Sequence, residues 1–323
     1  MRENDWLRQA ARLFGSRHQG VPVGVGDDCA VLSPAGELLI STDTVVAGVH
    51  FDLSLMDHRD AGWRALAVAL SDLAACGADP QRPVAALVSA QLPADLNDEN
   101  LLALADGLGQ CARAHGCAIV GGDTVSTPGP LALTLTVLGY AERAVLRRGA
   151  RPGDLLAVSG PLGSAGAGLF ALRAGFAAPE YDDCRRAYRR PQALLAAGHV
   201  LARTATAMMD LSDGLLMDLD RLCAASGVGA NIELNGLPLT DAAREIFNRL
   251  GHDPAVTAAT CGDDYQLLVA LHPTSLEAMH AELPGLTVVG HIVEGDAVHV
   301  LRDGRPVEIA RRGYEHGKEN ETS

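Results

Sequence analysis

Short aspartate motifs recur along the chain and hold the residues best suited to chemistry. Each places an aspartate at the edge of a glycine-rich turn or a strand end, where backbone can approach a ligand closely. The motifs are Gly24–Asp28, Ser41–Thr44, Ser71–Asp72, Gly121–Thr124 and Asp210–Gly214. Any one of them also fits a structural role as a turn or a helix cap. Their recurrence favours a shared ligand.

The side chains in these motifs are oxygen donors. Carboxylates flanked by Ser and Thr hydroxyls suit Mg²⁺, which takes few carboxylates per ion and completes its shell with phosphates and waters. Aspartates brought together would repel one another unless cations lay between them, so we expect several ions. Strand spacing puts Ser41 and Asp43 on one face, and Asp210 and Asp213, three apart across a helix start, can face the same way.

Lysine is almost absent from the chain. The only lysine is Lys318, in the polar tail 317–323. A Walker A loop, a protein-kinase strand lysine, a Schiff base and a pyridoxal-phosphate site all need a lysine inside the fold. These four kinds of nucleotide-binding or cofactor-binding site are excluded unless the tail folds back into a site.

Composition limits the partners further. The chain has 323 residues, 48% of them hydrophobic, and a formal net charge of −14. That charge argues against a nucleic-acid or anionic-membrane surface. Seven cysteines without a Cys-x-x-Cys pair, and a beginning without an export-signal pattern, suit a reducing compartment, so we expect a cytoplasmic protein.

Strand and helix signals alternate along both halves and predict a layered α/β (α+β) fold. The charged, Gly- and Pro-containing segment 147–154 is typical of a domain junction. We therefore expect an N-terminal α/β domain over 1–145, a C-terminal α/β domain over 146–316, and the polar tail. The clearest predicted elements are strands 38–51, 84–92, 155–159 and 287–293, helices 60–77, 97–115, 164–174, 191–203, 212–226 and 240–250, and a hairpin over 298–309.

Candidates for anion binding are less specific. The turn Ser159–Gly166 follows a strand and opens a helix, so its amides either cradle a phosphate or serve packing alone. Arg147 or Arg148 offers a guanidinium where no lysine exists. His50 can donate a hydrogen bond to a substrate phosphate, although a lone histidine is more often structural.

The motifs in this order resemble the thiamine-monophosphate kinase family, part of the superfamily that includes aminoimidazole-ribonucleotide synthetase. The resemblance spans nearly the whole chain and is specific as a set. It is carried by Gly24–Val31, Ser41–Phe51, Ala65–Asp72, Gly121–Thr124, Asp210–Gly214 and Gly262–Tyr265.

The resemblance implies an aminoimidazole-ribonucleotide-synthetase-like fold. Its N-terminal domain would pair across a homodimer, and ATP would bind with several Mg²⁺ in the cleft between the domains. The implied metal ligands are Asp28, Ser41, Thr42, Asp43, Asp72, Asp123, Asp210 and Asp213, of which Asp43, Asp210 and Asp213 are the catalytic candidates. The residues implied to face ATP are Gly122, Asp123, Arg147 and Ser212, and those implied to face thiamine monophosphate are His50, Asp263 and Tyr314.

Three positions depart from the family pattern. The family usually has Asn at Ala69 and Glu at both Asp263 and Gln266. Asp263 keeps the charge of the usual Glu but reaches less far, so a contact to the thiamine moiety would be lost, bridged by water or recovered by a backbone shift.

The expected reaction is a direct in-line transfer of the γ-phosphoryl group from ATP to thiamine monophosphate. A phosphate monoester has a second pKa of about 6 and is largely ionised at neutral pH, so no general base is needed. No nucleophile is positioned among the motifs, and we therefore expect no phosphoenzyme.

Other interpretations compete with this one. The interpretation of the chain as another ATP-dependent member of the superfamily lacks support, because Val46–His50 has no lysine where aminoimidazole-ribonucleotide synthetase carries one. A non-catalytic Ca²⁺ protein would hold its ligands in one contiguous loop, whereas these aspartates spread from residue 28 to residue 213. A metal-dependent phosphohydrolase stays open on the sequence alone.

Overall fold

The computed structural model describes Gln9, Arg12, Leu13 and residues 36–314. In chain order its strands and longer helices are β1 (Glu37–Val46), α1 (His58–Ala75), β2 (Val84–Pro93), α2 (Asp98–Ala114), β3 (Cys117–Thr127), β4 (Ala132–Ala141), β5 (Leu155–Val158), α3 (Ser164–Arg173), α4 (Asp182–Arg189), α5 (Leu195–Leu201), β6 (Ala205–Asp210), α6 (Leu215–Ser226), β7 (Gly229–Glu233), α7 (Asp241–Arg249), α8 (Pro254–Thr260), β8 (Leu267–Leu271), α9 (Leu276–Glu282), β9 (Thr287–Val293), β10 (Val298–Arg302) and β11 (Arg305–Pro306). Short 3₁₀ turns lie at Pro179–Tyr181, Leu234–Gly236 and Pro273–Ser275.

The chain divides into two compact units. Unit 1 holds the described residues up to Ala144 together with Arg189–Arg203, and unit 2 holds Val145–Tyr188 and the described residues from Thr204 onward. The first crossing between the units falls beside the boundary expected near residue 145. The sequence-based division did not include the return of 189–203 to unit 1, since no composition change marks that segment.

Unit 1 is built on a mixed sheet. Within the described residues its strand order is β1-β4-β2-β3, with β4 antiparallel to both β1 and β2, and β2 parallel to β3. The β2-α2-β3 stretch is a parallel crossover unit, as the alternation predicts. The β1-α1-β2 stretch is split, because β4 inserts between the two strands.

Both long helices of unit 1 begin at a side-chain cap. Asp57 accepts a hydrogen bond from the amide of Asp60 at the start of α1, and Asn97 accepts one from the amide of Asn100 at the start of α2. The N-cap predicted at Asn97 is confirmed. The helices cover one face of the sheet, and Leu66, Leu70 and other apolar side chains of α1 are fully buried there.

The other face of the unit 1 sheet is open and partly apolar. Leu38 and Ile40 on β1 are 48% and 61% exposed, and Leu87 on β2 is 39% exposed. Large exposed aliphatic side chains grouped on one sheet face are typical of an association surface.

Segment 189–203 is fixed to α1 by specific contacts. The Arg190 guanidinium pairs with Asp60 at 2.5 Å and lies over the Trp63 ring, 5.5 Å from its centroid. The Trp63 indole N–H donates to the Pro191 carbonyl at 2.8 Å. Gly198 in α5 packs so closely that an added Cβ would lie 2.1 Å from the Ala74 carbonyl oxygen. The return segment is therefore an integral part of unit 1.

Unit 2 is built on a larger sheet with the order β11-β10-β7-β9-β5-β8-β6 among the described residues. Its pairs are antiparallel except β7 with β10. The predicted hairpin across Asp303-Gly304 is confirmed, and both residues have positive φ, at 51° and 72°. The β8 strand, which pairs with β5 on one side and β6 on the other, is completely buried.

Some element boundaries differ from the predictions. Helix α5 starts only at Leu195, four residues after Pro191, and α6 starts at Leu215 and not at Ser212. Helices α4, α8 and α9 have seven or eight residues each, too short to show a clear period in the sequence. None of the helices described here has the length and apolar character needed to cross a bilayer.

Candidate functional site

An acidic pair lies where β1 meets α1 in unit 1. Ser41 and Asp43 are partly buried on the face of β1 that looks toward the helices, as the two-residue period predicts. The Ser41 hydroxyl donates to Oδ2 of Asp72 on α1. Burial and then the neighbouring Asp72 charge raise the pKa of Asp43 to about 6. Two carboxylates and a hydroxyl thus converge at one point of unit 1.

The chemistry of this donor set fits Mg²⁺. Burial is the main cause of the raised pKa of Asp43, and a cation beside Asp43 and Asp72 would offset both that burial and the repulsion between the two carboxylates. Across the residues that the structure describes, no three His, Cys, Asp or Glu side chains form a ready-made metal cluster. Mg²⁺ does not require one, because it binds through one or two carboxylates and relies on substrate phosphates and water for the rest.

The Thr42 side chain lies on the opposite face of β1. Its hydroxyl is 3.2 Å from the Thr136 hydroxyl on β4, and Thr44 and Thr134 are paired in the same way at 2.8 Å. The strand pleat separates Thr42 from its neighbours Ser41 and Asp43. The Thr42 hydroxyl is therefore directed away from a cation bound beside Asp43.

Gly122 and Asp123 lie on β3, at the other edge of the sheet from β1. The register pairs Asp123 with Ser89 and Ser89 with Thr134, so Asp123 is on the face opposite Asp43. Three strand spacings, about 14 Å, separate the two edge strands. The fold of unit 1 does not bring Asp123 beside Asp43.

Gly122 has a structural reason to be glycine. Its φ is 150°, and an added Cβ would lie 1.9 Å from the carbonyl oxygen of Val88 on β2. The β2–β3 register also shifts just before it, between Ala86 and Leu87. The close approach of the two strands requires a residue without a side chain at this position.

His50 follows β1 in a tight turn. Its Nδ1 accepts a hydrogen bond from the Val46 amide at 3.1 Å. A backbone N–H directed at Nδ1 fixes the neutral tautomer with its proton on Nε2. His50 is thereby prepared to act as a hydrogen-bond donor through Nε2.

Asp28 and its motif Gly24–Asp28 lie outside the described residues. The remaining predicted residues are in unit 2, where β6 ends at Asp210, a buried carboxylate that is 5% exposed. The loop Leu211–Gly214 then leads into α6. Asp210 and Asp213 therefore belong to a strand end and a loop, and not to a helix start.

Main-chain hydrogen bonds join this loop to two other segments. The Asp263 amide donates to the Ser212 carbonyl at 2.9 Å, and the Tyr314 amide donates to the Asp213 carbonyl at 2.9 Å. The Leu211 amide donates to the Gln266 carbonyl at 2.8 Å. Residues separated by about fifty to a hundred positions in sequence are thus brought together in unit 2.

The Asp213 carboxylate forms an ion pair that sequence reasoning missed. Arg221 Nη1 is 2.5 Å from Oδ2 of Asp213 and 2.7 Å from Oδ1 of Asp218. Asp218 is fully buried, and its other oxygen accepts the Asp213 amide at 3.0 Å. Burial raises the pKa of Asp218 to about 6. The only sequence signal was the three-residue spacing of Asp218 and Arg221 on one helix.

Segment Gly262–Gln266 has an unusual backbone. Asp263 and Tyr265 have positive φ, at 71° and 48°, and the Tyr265 hydroxyl donates to Asp263 Oδ1 at 3.2 Å. Gly262 packs so tightly that an added Cβ would lie 2.3 Å from the Ser212 carbonyl oxygen. Positive φ at non-glycine residues costs energy and is concentrated at functional sites.

Asp264, between those two residues, closes the glycine-rich turn at the start of α3. Its Oδ2 accepts the Gly163 amide at 2.7 Å, and burial raises the pKa of this carboxyl to about 7. The amides considered for phosphate are therefore already bonded to a carboxylate of unit 2. For Ser159–Gly166 the structure favours the packing interpretation.

Comparison with known proteins places the chain among relatives along almost its whole length. The AIR synthase related protein family matches twice, its N-terminal domain over residues 26–141 and its C-terminal domain over residues 151–302. The thiamine-monophosphate kinase of Salmonella typhimurium is 38% identical over 322 residues, covering 95% of this chain and 96% of the relative. The chain belongs to the thiamine-monophosphate kinase family.

Solved structures of the thiamine-monophosphate kinase family have the same fold. The enzyme from Stenotrophomonas maltophilia superposes with a TM-score of 0.81 at 34% identity, covering 94% of this chain and 96% of that one. AaThiL complexed with AMPPCP and TMP superposes with a TM-score of 0.78 at 30% identity, covering 98% and 99%. The aminoimidazole-ribonucleotide-synthetase-like α/β (α+β) fold expected from the motifs is confirmed.

The departures from the thiamine-monophosphate kinase pattern have different surroundings. Ala69 is completely buried in α1. The Gln266 side chain accepts the Ser159 hydroxyl at 2.7 Å, and that hydroxyl accepts the Leu267 amide at 2.8 Å. Asp263 is partly buried and has a positive φ of 71°, and its carboxylate accepts a hydrogen bond from the Tyr265 hydroxyl. Of the three positions, Asp263 alone was predicted to contact substrate.

Proposed function

We propose that the chain transfers the γ-phosphoryl group of ATP to thiamine monophosphate, giving thiamine diphosphate and ADP. The observation that carries the proposal is the acidic pair Asp43 and Asp72 with the Ser41 hydroxyl, found in a chain with no lysine among its described residues. Relatives named thiamine-monophosphate kinase, and a relative complexed with AMPPCP and TMP, support the same reaction.

Mg²⁺ is the cofactor that the donor set supports. The residues proposed to bind it are Asp28, Ser41, Thr42, Asp43, Asp72, Asp123, Asp210 and Asp213, with Thr42 acting through its main-chain carbonyl. When bound, Mg²⁺ supplies charge neutralisation for the phosphates and fixes their orientation. Asp43, Asp210 and Asp213 are the carboxylates on which turnover should depend most.

ATP and thiamine monophosphate are assigned to separate residues. Gly122, Asp123, Arg147 and Ser212 are proposed to contact ATP, and the Arg147 side chain is exposed and can reach a phosphate. His50, Asp263 and Tyr314 are proposed to contact thiamine monophosphate. The tautomer fixed by the Val46 amide supports a hydrogen bond from His50 Nε2 to the acceptor phosphate.

The chemical step needs positioning more than acid–base catalysis. An acceptor phosphate oxygen attacks the γ-phosphorus while the bond from that phosphorus to the β,γ-bridging oxygen breaks, and ADP leaves. The acceptor is already ionised near neutral pH, since its second pKa is about 6. No side chain has to take a proton or carry the phosphoryl group.

A homodimer is the proposed assembly. The exposed face of the unit 1 sheet, with Leu38, Ile40 and Leu87, provides an apolar surface on which a second copy can pack. A cytoplasmic location is supported by the free thiols of Cys76, Cys111, Cys117, Cys184, Cys223 and Cys261. The net charge of −14 argues against nucleic-acid and membrane partners.

One assay tests the reaction. Incubation with ATP, Mg²⁺ and thiamine monophosphate should give thiamine diphosphate and ADP in equal amounts. Release of inorganic phosphate in place of thiamine diphosphate would identify a phosphohydrolase. Label kept on the protein after rapid quench with γ-labelled ATP would contradict direct transfer.

A further inference from the structure

We propose that Arg221 is an internal counter-ion of Asp213 that Mg²⁺ must displace when it binds. The inference rests on the proposed metal role of Asp213. It adds a residue to that role, because Arg221 then sets how tightly the metal binds and how stable the metal-free protein is.

The contact is specific and arises within unit 2. A single guanidinium nitrogen, Arg221 Nη1, bonds Asp213 at 2.5 Å and Asp218 at 2.7 Å. Asp218 lies three residues before Arg221 on α6, so the helix itself aims the guanidinium toward the loop. Oδ2 of Asp213, a carboxylate proposed to bind Mg²⁺, is therefore already occupied by Arg221.

The two carboxylates around Arg221 differ in their freedom. Asp218 is fully buried, whereas the side chains of Asp213 and Arg221 are 20% and 42% exposed. The buried Asp218 holds Arg221 from the protein side, and the Asp213 contact is the one open to solvent. A partly exposed ion pair adds little stability, so it offers little resistance to a competing cation.

Displacement leaves the loop in place. The Asp213 amide stays bonded to Asp218 Oδ2, and the Asp213 carbonyl stays bonded to the Tyr314 amide. Arg221 keeps Asp218 after it releases Asp213, so no buried charge loses its partner. Exchange of Arg221 for Mg²⁺ therefore requires only side-chain movement.

The arrangement has a cost and a benefit. Metal affinity is reduced, because Mg²⁺ competes with a guanidinium already on the carboxylate. The metal-free protein is protected, because the repulsion between Asp213 and Asp218 is neutralised until the metal arrives.

The test compares Arg221→Gln with Arg312→Gln. Arg312 pairs with Asp220, also on α6, at 2.6 Å and 2.9 Å, in an ion pair separate from that of Arg221 with Asp213. The two variants change net charge equally. Binding of Mn²⁺ in the presence of AMPPCP is measured by calorimetry, and thermal unfolding is measured without metal.

Arg221→Gln should bind Mn²⁺ on the order of fivefold more tightly than the wild type and unfold at a lower temperature without metal. Arg312→Gln should match the wild type in metal affinity. Arg221→Lys keeps the positive charge, but its ammonium reaches less far than Arg221 Nη1, so its affinity should lie between those of the wild type and Arg221→Gln. If Arg221→Gln fails to fold, the Lys variant decides alone.

Weaker or unchanged metal binding in Arg221→Gln would overturn the proposal. Arg221 would then be a residue that positions Asp213 and does not compete with the metal. Asp213→Asn separates this failure from that of the proposed function. If Asp213→Asn keeps wild-type Mn²⁺ affinity, Asp213 is not a metal ligand. If it loses affinity while Arg221→Gln shows no gain, only the counter-ion role is wrong.

Discussion

The two units treat their acidic side chains in opposite ways. In unit 1, Asp43 lies beside Asp72, and burial together with that like charge raises the pKa of Asp43. In unit 2, Asp213 lies beside Arg221, which also pairs with the buried Asp218. The two carboxylates of unit 1 repel each other until a cation binds between them. The Asp213 carboxylate of unit 2 is already neutralised by the Arg221 guanidinium. Similar motifs in a sequence can therefore differ in what they need from a metal.

Removal of a proposed ligand in either unit should have the largest effect. Asp43→Asn and Asp210→Asn should each lower turnover by about 10²- to 10³-fold, the range found when one preorganised charge-stabilising group is lost. The turnover of each variant is measured as thiamine diphosphate formation under saturating ATP. Asp106→Asn is a matched control in unit 1, because Asp106 pairs with Arg59 at 2.7 Å on the helical surface. Wild-type turnover in Asp43→Asn would end the metal interpretation of unit 1.

The Ser41 hydroxyl should have a smaller role. Ser41→Ala removes a proposed neutral ligand of Mg²⁺ together with the hydrogen bond to Asp72 and leaves both carboxylates, so turnover should fall about 10-fold, the low end of the range for losing a group that supports a metal ligand. The apparent Mg²⁺ requirement should rise in parallel. A variant that keeps normal turnover at low Mg²⁺ would show that Asp72 needs no positioning by Ser41.

Removing one carboxylate from each unit should change the free energy of unfolding of the metal-free protein in opposite directions. Asp43→Asn removes one of two neighbouring like charges and should raise the free energy of unfolding by about 1 kcal/mol. Asp213→Asn removes the partner of a half-exposed arginine and should lower it by about 0.5–1 kcal/mol. Denaturant unfolding in the presence of a chelator measures both. Changes of the same sign would erase the contrast between the two sites.

The pH dependence of stability offers the finest comparison, within unit 2. Burial raises the pKa of Asp264 to about 7 from its ordinary value of 3.8. Between those two values the folded protein holds a proton that the unfolded chain has released, so this group makes stability fall as pH rises from about 4 to about 7. Asp264→Asn should flatten that part of the profile, measured as the urea midpoint against pH.

Asp253 provides the opposite case for this experiment. Hydrogen bonds from Arg302 lower the pKa of Asp253, so its contribution is present above its ordinary value and is lost as pH falls. Asp253→Asn should therefore change the acidic end of the profile and leave the fall in stability between pH 4 and pH 7 unchanged. An Asp264→Asn profile that still falls between pH 4 and 7 would mean that another group titrates there.

Much of the fold was predictable because the elements follow local rules. Asn97 caps α2 as its side chain predicts, and the Asp303-Gly304 turn adopts the positive φ angles that its residues favour. The α1 helix and strand β2 begin and end within two residues of their predicted limits. The short helices α4, α8 and α9 were missed, because seven or eight residues do not establish a period.

The sequence by itself determined which residue types are available for chemistry. It showed aspartates with hydroxyl neighbours and a lone lysine in the tail, and the strand period alone put Ser41 and Asp43 on one face. These conclusions depend on composition and on the local geometry of a strand, and neither needs knowledge of distant residues.

Only the tertiary structure decided which charges meet. It joined Ser41 to Asp72, placed Asp123 on the far edge and opposite face of its sheet, and set Arg221 between Asp213 and Asp218. It also assigned Asp264 to the turn before α3. Contacts between residues remote in sequence depend on strand order and packing, and a single sequence shows neither. The environment of each carboxylate, and with it its need for a metal, is a property of the fold.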